Sequence, residues 1–258
     1  RFNLATPQVY RMKTSTITIL PLALLLAFAA ATLAKESTPI TPTPSLAETV
    51  LQEEAVSAEN LGVAEPTLLP SSPFYFFKTF TRGIQRVFTF NPVKRAELEL
   101  RFTDEKLAEA KKLAETSPER TQAIERAIAN YRASQERLEA RLEALRETSE
   151  NPNVDRLLEK LAERTVTHEK LFGELGAKFE NRADISAALA AAREDIAATT
   201  NAAAQQGRAE AFARKLEQAL VETKGSEFKH LRSVEFLDRL EGKAEGELKE
   251  RLQGIRSE

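Results

Sequence analysis

Residues 91–114 read NPVKRAELELRFTDEKLAEAKKLA, and their spacing decides the fold. Val93, Ala96, Leu100, Thr103, Leu107, Ala110 and Ala114 follow one another at alternating intervals of three and four. A helix gathers positions so spaced onto one stripe, and that seam must face another helix to leave water. Asn91-Pro92 opens the run. Asparagine accepts from the first free amides of a helix, and proline lacks an amide at the one position where none is needed.

The rhythm returns twice downstream. Ile124, Ile128, Tyr131, Gln135, Leu138, Leu142 and Leu145 form a second seam, and Val154, Leu158, Leu161, Thr165, His168, Phe172, Leu175 and Phe179 a third. Leu98, Phe102, Leu157 and Leu171 flank these seams and widen them from a two-stranded coil to a bundle face. Ser72-Pro73, Ser117-Pro118 and Asn151-Pro152 repeat the cap-and-proline pair and predict three more helix starts. Short breaks at Thr116-Ser117 and at residues 149–151 predict antiparallel neighbours.

Ile185, Leu189, Ala192 and Ile196 begin a fifth helix, alanine-rich to about Thr223, with Gly207 weakening it midway. A sixth is expected from Ser226 to about Gly254, carrying Phe228, Leu231, Leu237, Leu248 and Leu252. Strand-like alternation of β-branched residues is missing after Pro70. The fold class expected is therefore all-α: an elongated antiparallel helical bundle of hairpins with coiled-coil-like heptad seams.

Upstream, Met12 is the only methionine of the chain, followed by Lys13 and an apolar run from Ile17 to Ala34. Thr32-Leu33-Ala34 offers small residues at cleavage positions. Residues 12–34 therefore read as an export signal, or as a membrane anchor if uncleaved, and residues 1–11 as an upstream extension. Residues 35–69 hold Pro39, Pro42, Pro44 and Pro66 among Ser, Thr and Glu, a disordered linker by composition, with a short amphipathic turn near Leu46 to Val56. Residues 70–182 make the core helical domain and 183–258 a C-terminal helical extension, either in the same bundle or beside it. The expected location is extracytoplasmic, secreted or tethered by the uncleaved segment.

Composition removes several functions. Charged residues are 29% of the chain but the net charge is only -2, so no basic face for nucleic acid is expected. The chain has no cysteine, which rules out disulfides, a lipidated cysteine and thiolate metal sites.

The segment from Pro70 to Phe90 holds six of the fourteen phenylalanines. Phe74, Phe77, Phe80, Ile84 and Phe88 follow helical spacing, with Lys78, Arg82 and Arg86 on another face and Tyr75 and Phe76 adding bulk. Two readings stay open. A basic aromatic helix can lie on an anionic membrane surface. In the plainer one, the rings cap the apolar end of the bundle and fix where this helix docks, with Phe88-Thr89-Phe90 as a hydrophobic staple.

Leu69 to Lys78 (LPSSPFYFFK), Phe88 to Pro92 (FTFNP) and Lys94 to Phe102 (KRAELELRF), continued by Glu105 to Ala110 (EKLAEA), resemble a bacterial family of exported helical proteins, domain of unknown function 5667. The likeness is specific over Leu69 to Leu113 and looser through the Asn151-Pro152 helix with His168-Glu169-Lys170. It implies a helical fold and an envelope location, and brings no catalytic residues to carry over.

Chemistry is sparse. Glu227-Phe228-Lys229-His230 has the Glu-x-x-His spacing of di-iron bundles, but Thr165 stands where the second pair would need its glutamate before His168. No metal or cofactor is expected. Phosphate loops, nucleophile elbows and zinc-protease helices are missing from the sequence, so neither an enzyme nor a small-molecule substrate is expected. Glutamates spaced four from arginines, such as Glu97 and Arg101, read as a solvated face. His168, on its seam, reads as a core polar residue that fixes register, or as a mild pH sensor if buried. Candidate interaction residues are Phe74, Tyr75, Phe76, Phe77, Lys78, Phe80, Arg82, Arg86 and His168. The function expected is an exported envelope protein acting as a structural or protein-interaction module, through self-association or a protein partner, with a possible membrane contact through the aromatic segment. The alternative is an extracytoplasmic chaperone or stress-sensing regulator that binds apolar segments.

Overall fold

The computed structural model describes residues 55–145, 152–205, 209–222, 233–244 and 246–257. Among them the chain is helical, without a strand, in eight helices: α1 (Tyr75–Phe88), α2 (Pro92–Thr116), α3 (Thr121–Glu143), α4 (Pro152–Lys178), α5 (Ala183–Ala204), α6 (Ala209–Glu222), α7 (Ser233–Lys243) and α8 (Gly246–Ser257). The residues read as export signal or anchor, and most of the linker, lie outside the described part. So do Asn151, Gly207, Ser226, Glu227 and His230.

Helices α2 to α5 form a four-helix bundle. Each packs on two others: α2 on α3 and α4, and α5 on α3 and α4. Helices α3 and α4 face each other across the axis, where the Tyr131 ring meets His168 and Phe172 edge-on. Pairs on facing helices set the directions. Arg132 reaches Asp195 and Thr199 reaches Gln135, so α3 and α5 run parallel. Thr165 meets Thr200 while Glu169 meets Arg193, so α4 and α5 run antiparallel. Every seam position named above on α2, α3 and α4, with Leu145 and Phe179 just beyond, is buried.

The punctuation reads less evenly. The Asn91 side chain accepts from the Lys94 amide at 3.1 Å with Pro92 at the first turn, as predicted. Ser117 instead closes α2, its amide bonding to the Leu113 carbonyl, and α3 begins four residues later at Thr121. Ser72 accepts from the Phe74 amide, and α1 begins at Tyr75.

Three boundaries differ from the sequence reading. Residues 55–69 do not behave as spacer: Val56, Ala58 and Leu61 are buried in the core, and the Val56 amide bonds to Glu174 Oε1 at 3.0 Å. Gly62 makes this strap possible, with φ of +64°, while Arg164 crosses it and bonds to the Asn60 carbonyl. The core domain does not stop at residue 182: α5 is the fourth helix of the bundle, so the extension from residue 183 joins the same bundle, one of the two arrangements left open by the sequence. The single fifth and sixth helices each resolve into two, α5 with α6 and α7 with α8; Gly246, φ +58°, opens α8. Helix α6 packs on α4 and α7 on α5, so the C-terminal helices lie against the bundle. Glu169 of α4, buried between Arg193 of α5 and Arg239 of α7, ties them to it.

Candidate functional site

Helix α1 is amphipathic, and it sits on the bundle with its charged side inward. On α1, Tyr75, Lys78, Arg82 and Arg86 recur at three and four residues. On α2, Glu99, Phe102, Glu105 and Glu109 do the same. The two stripes interlock. Arg82 is the pivot, 3% exposed: its Nη2 donates to Glu105 Oε2 at 2.5 Å and to Glu109 Oε1 at 2.8 Å, and its Nη1 to the Tyr75 hydroxyl at 3.3 Å. Tyr75 donates onward to Glu109 Oε2 at 2.5 Å, and Lys78 Nζ stands 2.7 Å from Glu109 Oε1. Arg86 grips Glu99 with two parallel bonds of 2.7 and 3.0 Å. Beneath them lies the Phe102 ring, with the Arg82 and Arg86 guanidinium carbons 5.6 and 4.7 Å from its centre.

Three cations of α1 thus meet three carboxylates of α2, and Glu99 and Glu109 are buried. Burial alone would lower the affinity of Arg82 for its proton; Glu109 and Glu105 outweigh it and hold the guanidinium above its ordinary value. Burial and then Glu109 raise the Tyr75 phenol, so it stays a donor. Lys106 of α2, buried near this cluster, goes the other way: burial, then Arg82, push it down from 10.5 to about 8. Its sign follows. Between pH 8 and 10.5 the folded chain releases this proton while the unfolded chain keeps it, so stability rises with pH across that window. Urea unfolding near pH 9 should show a gain of about 1 kcal/mol over neutral pH from this group, absent in Lys106→Met. An equal gain in the variant would contradict this.

The other side of α1 carries the aromatic rings, and it is bare. Phe74, Phe76, Phe77, Phe80, Ile84, Val87, Phe88 and Phe90 are exposed, from 42% at Ile84 to 76% at Phe90. This overturns the reading in which the rings cap the bundle end. Packed cores need carbon, but α2 offers α1 a row of carboxylates, and a helix can satisfy those only with its cationic stripe.

The residues expected to act together therefore divide. Phe74, Phe76, Phe77 and Phe80 lie outward, whereas Tyr75, Lys78, Arg82 and Arg86 are clamps turned into the bundle. His168 stands apart from both. It is buried on the axis, with Nε2 2.7 Å from Asp104 Oδ1 and Nδ1 3.0 Å from the Tyr131 hydroxyl, which accepts from Gln135 Nε2 at 2.6 Å. Burial raises the Asp104 carboxyl, against the opposing pull of His168 and Arg164. This chain of bonds joins α2, α3 and α4, and Thr199 extends it to α5. Glu99, Glu105 and Glu109 were missed as a docking strip, although their three-and-four spacing beside Phe102 was readable.

A cleft of about 860 Å³ opens where α1 ends, lined among others by Gln85, Phe88, Lys94, Arg101 and Arg164. Among the described residues no cluster of three or more acidic or histidine side chains could hold a metal ion, and no helix is long and apolar enough to cross a membrane.

Fold and surface together define a class: an α-helical bundle that carries an outward-facing aromatic helix on an ionic mount. The chain belongs to the family described as domain of unknown function (DUF5667), whose model matches residues 67–229, from just before α1 through α6. No curated protein and no solved structure matches the chain.

Proposed function

We propose that this protein is a non-catalytic, exported docking module of the cell envelope, and that its working surface is the outer face of α1. One observation carries the reading: eight large apolar side chains stand exposed on and around a helix whose polar side is fully engaged. Scattered exposed apolar residues are ordinary, but a contiguous patch of this kind marks a surface that something covers. The bundle below is held by its own seams and does not need these rings. The exposed stripe follows the outside of a single helix, and of its rings Phe88 alone lines the cleft at the helix end, which favours docking over chaperone-like capture of peptides.

The test compares the full chain with the double variant Phe77→Ser/Phe80→Ser. The variant should lose most of the wild-type binding of a dye that reports apolar surface, or the self-association seen by light scattering. Its unfolding stability should stay within about 0.5 kcal/mol of wild type, because both rings are more than half exposed and lie outside the core. Unchanged dye binding and association would contradict the proposal.

A further inference from the structure

We infer that the occupant of the α1 face is the surface of a lipid bilayer, with the helix lying flat at the boundary between headgroups and acyl chains. This rests on the docking-module reading and names what docks. The first support is the chemistry of the face. At about 100° per residue, Phe76, Phe77, Phe80, Ile84, Val87 and Phe88 fill a stripe roughly 120° wide. That stripe contains no hydroxyl, amide or charge. Protein interfaces also use phenylalanine, but their hot spots are enriched in tryptophan, tyrosine and arginine, and hydrogen bonds fix their orientation. Here the tyrosine and both arginines of α1 are turned away into the bundle, bonded to Glu99, Glu105 and Glu109. A face of carbon alone suits a fluid hydrocarbon, which asks for no matching partner.

The second support is the chain before the bundle. The apolar run from Ile17 to Ala34 is joined to Ala55 by residues 35–54, a span of at most about 70 Å when extended. With that run in a bilayer, a second weak contact made by α1 becomes effectively intramolecular.

The mount gives the contact an unusual signature. Ordinary basic amphipathic helices bind anionic lipid and weaken in salt. In α1, Lys78, Arg82 and Arg86 are paired with Glu99, Glu105 and Glu109 and turned away from the apolar face, so the contact should depend little on either.

The chain has no cysteine, so a single introduced one can be labelled cleanly. An environment-sensitive fluorophore is placed at Ile84→Cys in the full chain, with Ala187→Cys on α5 as control. Vesicles of phosphatidylcholine, alone or mixed equally with phosphatidylglycerol, carry a nitroxide on the acyl chain. The expected result is loss of most of the fluorescence at position 84 in both vesicles, unchanged by salt, with none lost at 187. Adding Phe77→Ser/Phe80→Ser should abolish the quenching while the helix content is retained. If position 84 is unquenched but becomes shielded as protein concentration rises, with dimers by light scattering, the occupant is a second copy: the bilayer inference falls and the docking module stands. If position 84 is neither quenched nor shielded, both fall. Quenching only with phosphatidylglycerol, and lost in salt, would also overturn the inference, because it would mean the cations face the lipid.

Discussion

Replacing Arg82 with alanine is expected to release α1 from the bundle at a local cost of about 3 kcal/mol. Arg82 is the buried centre of the ionic mount, bonded to Glu105, Glu109 and Tyr75. Removing one partner of a buried pair leaves the other carrying its desolvation uncompensated, which is worse than replacing both. Lys78 and Tyr75 still reach Glu109, so the loss falls at the lower end of the range for such pairs. Amide hydrogen exchange reads it directly. Protection over residues 75–88 should drop about a hundredfold, while the amides of α3 and α5 keep theirs. Arg82→Lys should recover only part of the docking, because an ammonium cannot serve two carboxylates and a phenol in one plane. Unchanged protection in Arg82→Ala would mean that α1 is held by something other than this mount.

Asp104→Ala should be the costliest change in the buried line of bonds on the bundle axis, destabilising the fold by about 3 kcal/mol in urea unfolding. Asp104 accepts from His168 and pairs with Arg164 at 3.5 Å, so its loss leaves the buried His168 Nε2 without that partner and takes an ion pair from Arg164. Tyr131→Phe removes one hydroxyl from the same line of bonds and should cost less, about 1–2 kcal/mol, by leaving Gln135 Nε2 and His168 Nδ1 without that partner. The order matters more than either value. A Tyr131→Phe effect near zero would mean the network is dispensable and that only the volume of the side chains counts.

Much of this bundle was legible in the sequence because heptad seams report burial directly. Every seam residue of α2, α3 and α4 is buried, including the polar Thr103, Gln135, Thr165 and His168. Cap-and-proline pairs were less reliable. Ser117 has the side chain of a cap, but its amide is used to close α2, and Pro118 occupies the turn. Helix α1 shows the deeper limit. Its periodicity gave Phe77, Phe80, Ile84, Phe88 and the three cations, but set Phe76, which lies outward, aside with Tyr75, which turns inward. Which stripe faces inward depends on what the neighbouring helix presents, and periodicity within one segment does not contain that information. The answer lay in α2, where Glu99, Glu105 and Glu109 flank Phe102 on one face. Taken one at a time they look like solvated surface charges; set beside Lys78, Arg82 and Arg86, they form a complementary strip. The strap at residues 55–69 was missed for a related reason: Val56, Ala58 and Leu61 are too few to show a period, and their burial comes from a groove that other helices build.

The orientation of α1 is the claim on which the rest stands, and hydroxyl-radical footprinting of phenylalanine side chains in the unmodified protein tests it most directly. The account predicts fast oxidation at Phe76, Phe77 and Phe80, and slow oxidation at the buried Phe102, Phe172 and Phe212, all in the same sample. Protection of Phe77 and Phe80 to the level of Phe172, in a chain that is monomeric and free of lipid, would show the rings turned inward and contradict it.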